Sequence, residues 1–177
     1  MDFALFNFFN NFASRSPIGD LTVVFLAQYF PYLIVLAFVM WACFKKSTWK
    51  ENIYLMLMGI AAGLVARFVV GEGIRIFYHR PRPFLTHDVI KLISETSWSF
   101  PSGHTLFFFA LSTSVYLYNK KWGWAFFVAS LIMAFARVVA GVHYPTDILG
   151  GIILGVGVGV GIHYLVGWIY KKWLSSR

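Results

Sequence analysis

Two histidines, each placed beside groups that could serve it in catalysis, mark where this chain can do chemistry. His104 lies in Ser99-Phe100-Pro101-Ser102-Gly103-His104-Thr105, between a polar loop and a long apolar run. Pro101 suits a first helical position, and the N–H groups of Ser102, Gly103 and His104 then have no intrahelical acceptors. Such a helix start attracts anions. With the Ser102 hydroxyl, a glycine that lets a ligand approach the backbone, and a titratable His104, the stretch reads as a phosphate cradle carrying its own proton donor. The alternative is a capped helix with an incidental histidine. His143 lies in Arg137-Val-Val-Ala-Gly-Val-His143-Tyr-Pro-Thr-Asp147. A continuous helix would turn about 600° between Arg137 and His143 and point them apart, but Gly141 allows the helix to end between them. Pro145 then suits the first turn of the next helix, with Asp147 one short turn from His143. A carboxylate there accepts one imidazole N–H and leaves the other nitrogen free to attack. Here too a simpler reading stands beside it, a histidine capping a helix end.

Positive charge accompanies both stretches. Arg67, Arg75 and Arg137 fall inside apolar runs, where a charge at mid-bilayer costs about 2.5–3.5 kcal/mol on insertion scales. Arg67 and Arg75 are eight residues apart on one helix, about 12 Å along its axis. Glu72, three residues before Arg75, is within reach of it, so neutralisation of Arg67 or Arg75 as packing glue is the structural alternative to anion binding. Arg75 also opens the string Arg75-Ile-Phe-Tyr-His-Arg-Pro-Arg82-Pro83, which carries the charge into a proline-stiffened extended segment.

The elements that must hold these residues are membrane helices. With 177 residues, 59% hydrophobic and 12% charged, the chain has too little polar surface to clothe a soluble globule. Residues 2 to 12 place Phe3, Phe6, Phe9 and Phe12 at three-residue spacing, which predicts a short interfacial helix. Five spans follow: Leu21 to Phe44, Ile53 to about Phe77, Pro101 to Tyr118, about Trp124 to Val142, and about Pro145 to Trp168. The expected fold is an all-α integral membrane bundle of about five transmembrane helices in a single domain over 1–177. In the last span Gly151, Gly155 and Gly159, with a second set at Gly157 and Gly161, predict close helix packing. Cys43 stands alone, so neither a disulfide framework nor a thiolate metal site is available.

The net charge of +8 points to orientation rather than to nucleic acid. Lys45, Lys46, Lys50, Lys120, Lys121, Lys171, Lys172 and Arg177 fall on one side of a five-span chain, which places that side in the cytoplasm. Six of the seven tryptophans (41, 49, 122, 124, 168, 173) gather near the same boundary. The histidines and Arg75, Arg82 and Arg137 then belong to the opposite, extracytoplasmic end, a siting expected for a plasma-membrane protein.

Arg75-x6-Arg82-Pro83, Pro101-Ser102-Gly103-His104 and Arg137-x5-His143-x3-Asp147 together resemble the three-part signature of the type 2 phosphatidic acid phosphatase superfamily, over roughly residues 53–165. Two departures are visible: Arg75 replaces the usual lysine, and Ala136 stands where serine is usual. The resemblance implies a metal-independent lipid phosphatase without cofactor. His143 would attack phosphorus, Asp147 would steady the imidazolium, and His104 would protonate the leaving oxygen. Arg75, Arg82, Ser102, Gly103 and Arg137 would hold the phosphoryl oxygens, supplying the positive charge that a metal supplies elsewhere. A site at headgroup depth implies a membrane lipid phosphate as substrate and the bilayer as partner. The short chain resembles bacterial enzymes acting on undecaprenyl diphosphate, with phosphatidylglycerophosphate and phosphatidate as competing substrates. The remaining function class is a transporter or scaffold that binds an anion without turnover.

Overall fold

The computed structural model describes residues 1–45 and 48–175, with side chains through Val166 and at Trp168. Lys46 and Arg177, and the side chains of Lys171, Lys172 and Trp173, which entered the orientation argument, lie outside the described residues. The described residues form helices and loops with no strand. In chain order these are α1 (Asp2–Asn10), α2 (Pro17–Phe44), α3 (Trp49–Phe77), α4 (Pro83–Thr86), α5 (Gly103–Tyr118), α6 (Lys120–Val139) and α7 (Pro145–Ser175). Helix α2 passes through a π-helical stretch at Phe25–Tyr29 and α3 through another at Val65–Gly71.

Side-chain caps set several boundaries that hydrophobicity alone places elsewhere. The Ser16 hydroxyl accepts from Gly19 N at 3.0 Å and starts α2 before its apolar run. The Thr48 hydroxyl does the same for Glu51 N, so α3 begins at Trp49 rather than at Ile53. Asn119 ends α5 and caps α6, its side chain accepting from Trp122 N at 3.1 Å. Helix α5 begins two residues later than the proline suggests. Ser102 is extended (φ −65°, ψ 113°) and acts as the N-cap, leaving Pro101 outside the helix.

Helices α2, α3, α6 and the part of α7 up to Val166 are long and apolar enough to cross a membrane. Helix α5, with 16 residues, is the hub, packing most extensively on α7, α6 and α3. Its residues are buried almost all round, as expected of a helix enclosed by others. At about 24 Å it is shorter than a hydrocarbon core of about 30 Å, so at least one of its ends lies within membrane depth.

Glycine brings α7 against α5. A Cβ on Gly151 would stand 2.8 Å from Thr105 Cβ, one on Gly155 2.7 Å from the Leu106 carbonyl oxygen, and one on Gly159 2.7 Å from Thr113 Cβ. Gly157 and Gly161 do not share this role: among the described residues nothing lies within 4 Å of a Cβ at either position, because they sit on another face of α7.

Helix α1 ends at Asn10, two residues short of the expected span, and is docked on protein. Phe6 is fully buried against Tyr144, and the buried Asn10 amide donates to the carbonyls of Ile90 (2.8 Å) and Val139 (2.9 Å) while accepting from Ile90 N (3.0 Å). One turn of chain thereby ties the amino terminus, the 87–102 loop and the end of α6 together.

Candidate active site

The three stretches singled out in the sequence converge at one end of the bundle, around the start of α5. Helix α6 stops where Gly141 adopts φ +83°, with Gly141 N bonded to Val138 O and Val142 N to Arg137 O. Glycine is needed there twice over, since a Cβ would lie 2.1 Å from the Ile90 carbonyl oxygen. The reversal sets His143 between α6 and α7, 1% exposed. Its Nδ1 faces Asp147 Oδ2 at 3.5 Å, and its Nε2 faces Arg82 Nη1 at 3.3 Å. The first distance is long for a hydrogen bond, a common state of catalytic contacts without substrate.

Asp147 is fully buried and its carboxylate is shared. Oδ1 accepts from Arg80 Nη1 at 2.7 Å, and Oδ2 accepts from the Ser99 hydroxyl at 2.5 Å and from Tyr144 N at 2.8 Å. Arg80 in turn reaches Asp2 of α1 at 2.5 Å and the Thr146 hydroxyl at 2.6 Å, and that hydroxyl donates to Asp2 at 2.5 Å. The carboxylate expected to orient the imidazole is thus itself held by an arginine that the amino terminus holds.

Arg82, 2% exposed, donates to Ser97 O (2.6 Å), Val142 O (2.7 Å) and the Ser97 hydroxyl (3.0 Å). Arg137, equally buried, donates to Ala27 O at 3.0 Å and closely to Glu95. Glu95 also lies 3.7 Å from Arg82, so one carboxylate bridges two arginines. Arg75 pairs with Glu72 at 2.7 Å and donates to Pro101 O at 2.8 Å. The neutralisation considered from sequence therefore exists for Arg75, but it engages only part of the guanidinium: among the described residues its buried Nε has no partner, and nor has the buried Nε of Arg137.

The start of α5 lies among these arginines. Ser102 is fully buried, and its hydroxyl accepts from the Thr105 hydroxyl at 3.0 Å. Its N–H donates to Asp147 O at 3.2 Å, so the Ser102 amide, expected to be free for an anion, is already engaged because α7 packs beside it. Gly103 N–H and His104 N–H, the first two of the helix, keep no intrahelical acceptor. A Cβ on Gly103 would meet Arg75 Nη2 at 3.4 Å, an ordinary contact, so no protein atom requires glycine there. His104 is half-buried, within Coulomb reach of Arg137, Arg67, His143 and Arg82.

Electrostatics follow from burial. Desolvation pushes the His143 pKa down to about 4, Arg82 and Arg137 adding to it and the Asp147 contact opposing it; the ring is neutral near pH 7 and loses its free nitrogen only as pH falls through that value. Burial also lowers Arg82 to about 10, which leaves it charged. Burial would raise the pKa of Glu95, but the charge and hydrogen bond of Arg137, with Arg82, outweigh it and hold the carboxyl below its usual range.

Sequence reasoning missed Arg80, Asp2, Ser99 and Glu95. Arg80 and Asp2 are 78 residues apart, and no local pattern joins them. Ala136 packs with Ala27, Ile93, Ala140 and Val142, so no hydroxyl comes from that position. Among the described residues no group of three or more His, Cys, Asp or Glu side chains is placed to hold a metal. A neutral imidazole beside a carboxylate, ringed by buried guanidiniums and open amides, can bind a phosphoryl group and accept it.

A family model described as the PAP2 superfamily matches residues 51–171. The chain is 31% identical over 162 residues to the undecaprenyl-diphosphatase BcrC of Bacillus subtilis, covering 90% of this chain and 81% of that protein. It is 26% identical to the lipid A 4'-phosphatase of Porphyromonas gingivalis, covering 81% and 64% of the two chains. The crystal structure of Aquifex aeolicus LpxE superposes with a TM-score of 0.73 at 24% identity, over 92% of this chain and 94% of that one.

Proposed function

The chain belongs to the PAP2 superfamily and is a membrane phosphatase of that family, and we propose that it cleaves the terminal phosphate from undecaprenyl diphosphate through a phosphohistidine. The observation that carries the reading is His143, fully enclosed between Asp147 on one nitrogen and Arg82 on the other. An anion binder has no use for a nucleophile so placed. In the proposed reaction Arg75, Arg82 and Arg137, with the Ser102 hydroxyl and the Gly103 and His104 amides, hold the phosphoryl oxygens and offset charge in the transition state. His143 Nε2 attacks phosphorus, the bond to the leaving oxygen breaks, and His104 protonates that oxygen. His104 then takes a proton from the water that hydrolyses the phosphohistidine. The arginines provide the positive charge, and the reaction proceeds without a metal. The likeness to an undecaprenyl-diphosphatase supports this substrate over phosphatidate and phosphatidylglycerophosphate. In this reading the arginine end faces outward across the plasma membrane, supported by the lysines at the other end.

Purified protein in detergent, given undecaprenyl diphosphate, phosphatidate and phosphatidylglycerophosphate with EDTA present, tests the reading. Phosphate should appear fastest from the diphosphate and at the same rate without chelator. Faster release from either glycerolipid would move the substrate, and binding without release would leave only an anion site. A cysteine at position 88, in a Cys43-free background, should react with an impermeant thiol reagent on intact cells. Labelling at position 47 instead would reverse the orientation.

A further inference from the structure

We propose that Arg67 holds the lipid-linked phosphate of a diphosphate substrate, on the leaving-group side of the phosphoryl group that His143 attacks. This inference rests on the diphosphate reading above and adds to it the residue that distinguishes a diphosphate from a monophosphate.

Arg67 lies within α3, eight residues further into the helix than Arg75. A charge at such depth needs a counter-charge or a function. The other guanidiniums of the site each have a carboxylate: Arg75 has Glu72, Arg82 and Arg137 share Glu95, and Arg80 has Asp2 and Asp147. Arg67, half-buried, has none among the described residues; its guanidinium lies over the Phe68 ring, 5.4 Å from the centroid.

The backbone brings Arg67 to the site. In a uniform α-helix eight residues rotate through about 800°, leaving Arg67 and Arg75 about 80° apart. The π-helical stretch Val65–Gly71 contains Arg67 and continues four residues toward Arg75, and its wider turns take up more residues per rotation, which reduces that offset. Both side chains in fact reach the same point. A Cβ on Gly103 would lie 3.4 Å from Arg75 Nη2 and 3.8 Å from both Cγ and Cζ of Arg67. Arg67 also lies within Coulomb reach of His104, the group assigned to the leaving oxygen. π-Helical turns recur where a helix must present a functional side chain out of register.

The chemistry assigns the order of groups. The terminal phosphoryl group sits among Arg75, Arg82 and Arg137, with His143 Nε2 on one side. Opposite the attacking nitrogen lies the bridging oxygen, and beyond it the second phosphate and the lipid chain. As the N–P bond forms and the bond from phosphorus to the bridging oxygen breaks, the electron pair passes to that oxygen, which becomes the fourth oxygen of the lipid monophosphate. Its growing charge falls next to Arg67. Water then attacks the phosphohistidine, giving its proton to His104 and releasing inorganic phosphate. A monophosphate ester places no second anion at that position, so Arg67 would contribute far less to its turnover.

The test compares farnesyl diphosphate with farnesyl monophosphate, which share a lipid chain, using the full-length protein in detergent. Arg67→Ala should lower the ratio of kcat/KM for diphosphate over monophosphate by roughly 10- to 100-fold, the size of a lost hydrogen bond to a charged group. Arg67→Lys should restore much of it. Arg75→Ala should lower both activities by a similar factor and leave the ratio near its starting value. If the alanine protein does not fold, Arg67→Gln carries the same comparison. Equal losses on both substrates, or no loss on either, would overturn the proposal while leaving the phosphatase reading standing. A wild-type protein that hydrolyses the monophosphate but not the diphosphate would overturn both, and would do so before any substitution is made.

Discussion

At one end of the bundle Phe38, Trp41 and Phe126 pack ring against ring, Phe38 and Phe126 edge to face with centroids 6.1 Å apart, in a cluster completed by Leu111, Val115 and Met133. At the other end the buried residues include Arg75, Arg82, Arg137, Ser99, Ser102, His143 and Asp147. The two regions are enclosed to a similar degree, but what each must satisfy differs. Apolar side chains require only volume, and many combinations fill it. Every buried charge needs its own partner at hydrogen-bond distance, and those partners come from elements far apart in the chain. Substitutions should therefore alter stability at the aromatic end and turnover at the arginine end.

The largest effect is expected at the two histidines. His143→Ala should reduce turnover to background while the protein still binds vanadate, because the arginines supply most of the attraction. His104→Ala should be severely slowed on an alkyl phosphate but much less on p-nitrophenyl phosphate, whose leaving group needs little protonation. Quenched reactions of the His104→Ala protein should yield an acid-labile, base-stable phosphoprotein. Its absence, or residual turnover by His143→Ala, would remove the phosphohistidine.

A smaller effect is expected from Asp2, which touches no reacting group. Asp2→Asn should slow kcat by roughly 2- to 5-fold, about the worth of one partly exposed ion pair, with KM nearly unchanged. Arg80 would still meet Asp147, but less firmly placed. A rise in KM alone would mean that α1 shapes substrate access rather than Asp147.

The smallest effect on turnover should come from the largest lost side chain. Phe38, fully buried, when changed to alanine should destabilise by about 3 kcal/mol, the low end for Phe→Ala, since lipid is as apolar as the space vacated. Thermal unfolding should register that loss, while turnover per folded molecule should stay within about twofold. A large fall in turnover would mean that the two ends are mechanically linked, and the contrast between them would have to be redrawn.

The same contrast explains what could be read from the sequence. The helices, the break at Gly141 and the packing of Gly151, Gly155 and Gly159 rest on local pattern; four of the five expected spans are long and apolar enough to cross a membrane, while the one expected over Pro101 to Tyr118 is the shorter, enclosed α5. The clustering of Arg75, Arg82, His104, Arg137, His143 and Asp147 at one end was legible because their spacings resemble a family signature. Glu95 was not, since a loop carboxylate gives no sign of which arginines it will meet. Nor was the Asp2–Arg80–Asp147 chain, whose members join only when α1 docks beside α7. The π-helical stretch in α3 escaped as well, because hydrophobicity reports which residues are apolar and not how tightly the backbone is wound. Gly157 and Gly161 show the converse error: small residues at the right period are not an interface unless a neighbour lies on that face.

The glycine contact between α5 and α7 also works as a ruler. His104 rides on the first turn of α5, His143 lies two residues before α7, and Asp147 lies in the first turn of α7. Beneath them a Cβ on Gly155 would meet the Leu106 carbonyl oxygen at 2.7 Å, and one on Gly159 would meet Thr113 Cβ at 2.7 Å and the Ala110 carbonyl oxygen at 2.8 Å, atoms that are fixed to the α5 backbone and cannot swing aside. A side chain at either glycine would push the two helices apart. The separation between His104 and His143 is therefore gauged by residues that carry no functional group, about two to three helical turns along α7 from Asp147.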